Sequence, residues 1–530
     1  MKKFISLILV ALMLCSVAVL PASAVDAADI TIDLPLVYIR GAGKNLFKNN
    51  VDRDDEIIYP VDVDTEAIID ELLPIADDLV KGMLTDDYSE YVDRVYNVFA
   101  PIFEEVVLGK DGEPMDNSGN GPQDPVKVKA NNYKVFDYDF GYDFRISLIK
   151  VAGELKDYIT AVKGATGKKV SLLGRCLGTN VMAAYLTYYP EHARENLSNI
   201  ILYVPATDGV DFISKLFSGK LEVQADNLDA FVDYLMVNKH LIEDPTLSSM
   251  ITILVEMLNY AKLLGLGMDA FQLLVDRLQG ELIPKLGLAS FVSFPAYWSM
   301  VNPEDYDDAK KLIFEGKEEE YAGLIEKIDE YHNNVQTGFN DRLVKLDKDG
   351  VNVSVIAKYN VPCIPISEAS NRLGDFMAST KQLSYGATCA DYGKVLEQSY
   401  IDSMSEEALR YLSPDKKIDA STCLFYDNTW FMKNNLHDDF PYDGNRLIKL
   451  LVESKGELTV FDSEEWPQYV EYIPVEGEEE GIFIPVEGED EDMEKPEEGS
   501  NEERFSIFIR FFTAILNFFT KLFNGELFKK

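Results

Sequence analysis

An apolar run of strand-forming residues, Val170–Leu173, ends in Gly174-Arg175-Cys176-Leu177-Gly178 and passes at once into helix-forming residues. Few backbones accommodate such a passage. A strand that turns directly into a helix needs glycine wherever a Cβ would collide with the neighbouring strand or helix, and both flanking positions here are glycine. The turn presents its central side chain at the carboxyl end of the strand. Cys176 therefore stands where the nucleophile stands in a strand–turn–helix elbow, with Cys in place of the usual Ser. It also stands at a helix N-terminus, whose dipole and free N–H groups favour a thiolate.

The flanks of this turn set the fold class. A first strand, Ile32–Ile39, runs into the glycine-rich turn Arg40-Gly41-Ala42-Gly43. A second is expected at Tyr133–Tyr138, a helix from about Ile146 to Ala165, and a further strand at Ile200–Val204. Strands that alternate with helices, each a short continuous apolar run, specify an α/β fold with a mostly parallel sheet. Residues 64–106 read as amphipathic helices, and the Gly/Asp/Asn/Pro-rich stretch 109–125 as an exposed loop.

From Asp208 to about Val344 the alternation stops and the pattern is helical. Apolar stripes run through Leu247–Leu266 and Met268–Leu278, and an aromatic-rich turn follows at Phe294-Pro295-Ala296-Tyr297-Trp298. A helical insertion between strands reads as a lid over the site or as a second structural unit, and the pattern leaves both open. Sheet elements resume with Val353–Ala357 and Val361–Ile366.

The two ends read differently from the middle. Lys2 and Lys3, the apolar run Phe4–Leu20 and Pro-Ala-Ser-Ala at 21–24 have the order of a secretory signal cut after Ala24. Bulky Leu14 ahead of Cys15 argues against lipid attachment there. After about Val475 order is expected to fail: Ile-Pro-Val-Glu-Gly-Glu occurs at 473–478 and again at 484–489 within a Glu/Asp-rich run, an extended self-repelling linker. Beyond it, Phe505–Phe523 keeps its polar residues on one narrow helical face. This is an amphipathic helix, a candidate for peripheral membrane or envelope contact through 505–523, or for docking onto the body of the chain or self-association. The division is then a signal at 1–24, α/β core at 25–207 and 345–472, helical insertion at 208–344, acidic linker at 473–504 and C-terminal helix at 505–530.

Charge and cysteine content remove several classes of function. With 50 Lys and Arg against 91 Asp and Glu, the net charge is −41. Such a surface repels nucleic acid, which is therefore not an expected partner. Past the signal four cysteines remain, Cys176, Cys363, Cys389 and Cys423, too few for a disulfide scaffold. A Cys389–Cys423 bridge and buried free thiols both stay open. No metal or cofactor is implied.

A thiol nucleophile needs a base that reaches it and an acid that orients the base, and behind such an elbow the chain order is nucleophile, acid, histidine. The chain has four histidines. His192 falls in a surface turn just after the elbow helix, and His240 and His332 fall inside the insertion. His437 follows the last sheet elements, ahead of a final helix at Gly444–Ser454, and is the expected base. Asp375, after the strand Val361–Ile366, is the expected acid, with Asp391, Asp415 and Asp419 as alternatives. Main-chain N–H groups of Leu177 and Ala42 would form the oxyanion hole. Arg40 and Arg175 would favour the ionised thiol, bind a substrate carboxylate, or form salt bridges with local acids.

Taken together these segments resemble the α/β-hydrolase superfamily, in particular its lipase and lecithin:cholesterol-acyltransferase-like branch. The likeness rests on the Leu36-Val-Tyr-Ile-Arg-Gly-Ala-Gly43 strand and turn, on Tyr142-Asp143-Phe144-Arg145 against the Tyr-Asp-Trp-Arg of that branch, on the Gly174–Gly178 elbow, on Asp375 and on His437. It spans roughly residues 30–455. It implies Cys176 as nucleophile, Asp375 as acid and His437 as base, a helical lid, and cleavage or transfer of an acyl group from an ester or thioester, with a small-molecule or lipid-like acyl substrate. Members usually carry His where Arg40 and Arg175 stand and Gly-Gly where Gly178-Thr179 stands, which points away from ordinary triglyceride lipase chemistry. Cys for Ser occurs in dienelactone hydrolases and polyhydroxyalkanoate synthases. An envelope-associated binding or interaction protein that keeps the fold without turnover is the alternative.

Overall fold

At the centre of the chain eight strands form one sheet. They are β1 (Leu36–Ile39), β2 (Tyr138–Phe140), β3 (Val170–Cys176), β4 (Leu197–Pro205), β5 (Asn352–Tyr359), β6 (Thr429–Lys433), β7 (Tyr469–Ile473) and β8 (Ile482–Pro485), in the spatial order β8-β7-β6-β5-β4-β3-β1-β2. Every neighbouring pair is parallel except β7 with β8. The computed structural model describes residues 30–488 apart from 44, 52, 54, 55, 62–70, 72–75, 223–233, 235–267, 366–371, 442, 455–457 and 474–480. The described residues up to Val486 belong to one packed unit.

The apolar runs dictate this sheet. β1, β3 and β4 are buried along nearly their whole length, as strands covered on both faces must be. The covering helices include α1 (Leu148–Thr166), which turns Val151, Leu155, Ile159 and Val162 inward at helical spacing and ends where Gly167, at φ 69°, donates to the Lys163 carbonyl. Next comes α2 (Leu177–Tyr188), almost wholly buried behind the elbow. The described part of the insertion is helical: α3 (Asp211–Ser218), α4 (Met268–Leu282), α5 (Tyr306–Phe314), α6 (Ala322–Tyr331) and α7 (Phe339–Lys348). α8 (Gly444–Glu453) follows β6.

From β1 the chain moves outward to β2, then crosses back to lay β3 on the other side of β1. That reversal opens a crevice between the carboxyl ends of β1 and β3, the place where open parallel sheets hold ligands. Arg40-Gly41-Ala42 leaves β1 there, and Cys176 ends β3.

The structure departs from the sequence reading in several places. The first strand breaks at Pro35, which has no N–H to give a ladder; Thr31–Ile32 pairs instead with Tyr133–Lys134, and only Leu36–Ile39 joins the sheet. Tyr138–Phe140, at the end of the expected second strand, is the part that pairs with β1. Among the described residues of Val361–Ile366 only Val361–Pro362 is extended, in a small hairpin with Leu373–Gly374, because Asn360 at φ 70° turns the chain out of the sheet. The loop 109–125 is not exposed throughout: Ser118 and Asn120 are buried, and Gly119 exchanges main-chain hydrogen bonds with Phe47 at 2.7 and 3.0 Å.

Part of the expected acidic linker is a strand. Ile482–Pro485 adds the antiparallel edge strand β8, with Phe483 packed on Trp466 and Tyr472 at 5.7 and 5.4 Å between ring centroids. The continuous apolar run Ile482–Val486 outweighs the charge around it. The signal at 1–24, the stripe Leu247–Leu266, most of the acidic run and the helix at 505–530 lie outside the described residues. Among the described residues no helix is long and apolar enough to cross a membrane.

Candidate active site

Cys176 joins β3 to α2 with φ 50° and ψ −126°, a conformation that costs a non-glycine residue energy and persists only where its surroundings impose it. Three glycines allow the surroundings to come that close. A Cβ on Gly178 would lie 2.3 Å from the Ile39 carbonyl oxygen, one on Gly174 2.2 Å from Met182 Sδ, and one on Gly41 3.2 Å from Cys176 Cβ. Thr179 closes the turn: its hydroxyl donates to the Cys176 carbonyl at 2.6 Å and accepts from Ala206 N–H at 3.0 Å. On the other side Tyr142 donates its hydroxyl to the Arg40 carbonyl at 2.9 Å, fixing the turn after β1. Leu177 opens α2 directly after Cys176, and Ala42 follows Gly41 in the turn that borders it.

His437 lies in the loop after β6. Its Nδ1 meets Asp375 Oδ2 at 2.6 Å, and its main-chain N–H donates to the Asp375 carbonyl at 2.8 Å. Asp375 Oδ1 accepts from the N–H groups of Met377 (3.1 Å) and Ala378 (2.9 Å), so the carboxylate is oriented by its own hairpin. Both residues are buried. The imidazole Nε2 has no partner of hydrogen-bond geometry. The Cys176 thiol lies within electrostatic reach of the same ring. Burial pulls the His437 pKa down, but the charge of Asp375, then that of Cys176, and the hydrogen bond to Asp375 outweigh it and raise it to about 10.

The two arginines are engaged by acids. Arg40 binds Asp139 through Nε at 3.0 Å and Nη2 at 2.9 Å. Arg175, buried in the sheet beside the elbow, gives Nη2 to Asp438 Oδ1 at 2.9 Å and to the His437 carbonyl at 3.3 Å. Of the roles left open for them, the structure places both in salt bridges, and Arg175 in one that holds the histidine loop.

The alternatives are occupied elsewhere. His192 uses both ring nitrogens on Thr160 and Tyr185, and His332 stacks on Tyr306 with Nδ1 on Gln336. His240 lies outside the described residues. Asp391 pairs with Lys394, Asp415 with Lys433, and Asp419 accepts from the Tyr400 hydroxyl. Cys363, Cys389 and Cys423 are free thiols pushed upward by burial, Cys423 to about 12. Among the described residues no cluster of His, Cys, Asp and Glu could hold a metal ion.

Several residues that matter here escaped the sequence reading. Asn180, buried, donates to the Ala206 and Ser299 carbonyls at 3.2 and 2.9 Å, and Tyr331 donates to the Asn180 carbonyl at 3.1 Å. This part of the insertion is thus fastened to the elbow helix. Tyr297 from the same region and Tyr142 are both buried within electrostatic reach of Cys176, and burial keeps their phenols neutral hydrogen-bond donors. Lys358, wholly buried near the end of β5, donates from Nζ to the carbonyls of Leu436, His437 and Asp439. Its one sequence signal is a lysine inside the apolar run Val353–Tyr359.

No protein-family model matches the chain, and no curated protein or solved structure is significantly similar to it.

Proposed function

We propose that this chain is an exported enzyme that cleaves an ester or thioester, or transfers its acyl group, through Cys176, His437 and Asp375. The observation that carries the reading is the doubly bonded Asp375–His437 pair, its Nε2 without a partner, within electrostatic reach of a cysteine on a strained elbow. In this reading His437, made more basic by Asp375, takes the thiol proton and Cys176 attacks as the thiolate beside the imidazolium so formed. The sulfur–carbonyl bond forms, the carbonyl electrons move to an oxygen held by the N–H groups of Leu177 and Ala42, and the imidazolium proton leaves with the departing alcohol or thiol. The neutral imidazole then takes a proton from water or an acceptor alcohol, which releases the acyl group from sulfur. Asp375 keeps Nδ1 protonated and the ring aligned throughout.

The described part of the insertion, bolted to α2 through Asn180, fits a fixed wall of the acyl pocket better than a swinging gate. Export rests on the N-terminal residue pattern alone and predicts a secreted or envelope-associated protein beginning at Val25; the amphipathic residues 505–523 would then contact the membrane surface. Chloroacetamide labelling tests the reading. Rapid labelling of Cys176, slowed at least about tenfold in His437→Ala, supports it. Labelling of Cys176 that is slow and indifferent to His437 leaves the non-catalytic binding protein as the better account.

A further inference from the structure

Lys358 is fully buried and makes no ion pair among the described residues. A buried ammonium without a carboxylate partner is costly, so what it does hold is informative. Its Nζ lies against carbonyls of Leu436, His437 (3.2 Å) and Asp439, all within the loop that carries the candidate base. An ammonium has three N–H bonds and no lone pair, and three carbonyls match it completely. A neutral amine has two N–H bonds and a lone pair. One carbonyl of the loop would then lose its donor and face the lone pair.

We propose that Lys358 is a positioning residue: its ammonium fixes the 436–439 loop with the His437 imidazole aimed at Cys176, and loss of its proton releases that aim. The inference rests on the acyl-transfer reading for its consequence and on the carbonyl cage for its cause. Arg175 supports the same loop from β3, holding the His437 carbonyl and Asp438.

The charged and titratable groups facing the amine come from every neighbouring element. Asp439 and Asp438 belong to the loop itself, Asp375 to the hairpin after β5, and Arg175 to β3; Tyr203 of β4 places its ring centroid 5.1 Å from Nζ. Burial pulls the lysine pKa down, the carboxylate of Asp439 opposes this and Arg175 adds to it, with an outcome of about 7. The release therefore falls within the neutral range.

The test uses the full chain and the burst of p-nitrophenolate from p-nitrophenyl butyrate, followed between about pH 5.5 and 9. In the wild type the acylation rate declines as pH rises through neutrality. Lys358→Met is expected to lower it about tenfold or more below neutrality and to lack that decline, as a lost orienting contact would. Lys358→Arg, a permanent cation, keeps the burst and removes the decline. A Lys358→Met protein with the wild-type rate and pH profile overturns the proposal, as does a Lys358→Arg protein that retains the decline. If Lys358→Met does not fold, the arginine variant decides.

Failure of the acyl chemistry is separable. A wild type with no burst, and Cys176 labelling indifferent to His437→Ala, removes the acyl-transfer reading only. The His437 ring proton signals, assigned by their loss in His437→Ala, then report on the loop directly. A shift with a midpoint near neutrality that vanishes in Lys358→Arg sustains the positioning role, and signals with no such step contradict it.

Discussion

Asp375 and His437, 62 positions apart in the chain, are joined twice: carboxylate to imidazole at 2.6 Å, and carbonyl to main-chain N–H at 2.8 Å. The second bond sets the distance between two loops and the first sets the ring within it. A dyad held this way keeps its geometry without a bound substrate.

Asp375→Asn separates the two contributions. The main-chain bond survives, while the charge that raises the imidazole disappears. The acylation rate should fall by about 10²–10⁴-fold, as loss of an orienting carboxylate does in triads of this kind. His437 should also titrate lower in proton NMR. An unchanged His437 titration would refute the electrostatic coupling.

The elbow glycines should rank by what their missing Cβ would strike. On Gly178 it meets backbone oxygens of Ile39 and Arg40 at 2.3 and 2.5 Å, which cannot yield without moving β1. On Gly174 the closest atom is the flexible end of Met182. Gly178→Ala should cost about 1–3 kcal/mol or more in urea unfolding, and Gly174→Ala less. The reverse ranking would mean that the elbow is not packed against β1 as described.

Two buried groups give stability opposite slopes against pH. His437 is raised from 6.5 to about 10, so its contribution is complete below its unfolded value and is lost as pH climbs toward 10. Lys358 is lowered from 10.5 to about 7, so folding is penalised while the amine must be charged, and stability rises between about 7 and 10.5. Over pH 7–10 the two offset each other in the wild type. His437→Ala should therefore gain stability with rising pH in that window and Lys358→Met should lose it, as thermal unfolding at several pH values can check.

The edge strand makes a further case. Phe483 is buried on Trp466 and Tyr472, and Phe483→Ala should cost about 2–4 kcal/mol. A chain ended after residue 480 should be destabilised by a comparable amount relative to one ended after 488. Equal melting of both truncations would show that β8 contributes nothing.

Much of the centre of the fold was legible because it rests on local chemistry. Continuous apolar runs mark β1, β3, β4 and β5, and paired glycines mark the one turn between β3 and α2. Asp375 and His437 were found by chain order, a rule about connectivity that a linear sequence preserves. What escaped depends on contacts between distant segments. Pro35 and Asn360 broke expected strands through the absence of an N–H and a positive φ. Asn180 and Ser299 meet across 119 positions, and Lys358 meets the histidine loop from 79 positions away. The Glu-rich surroundings of 482–486 concealed a strand whose short apolar run finds a sheet edge only in three dimensions.

The central claim is that Cys176 takes up an acyl group. Incubation of the full chain with p-nitrophenyl butyrate, acid quench and peptide mass spectrometry measures it directly. The account predicts a butyryl adduct on the peptide that carries Cys176, abolished in Cys176→Ala and strongly diminished in His437→Ala. A wild-type Cys176 that stays unmodified at every pH from about 6 to 9, while the folded protein remains intact, would contradict it.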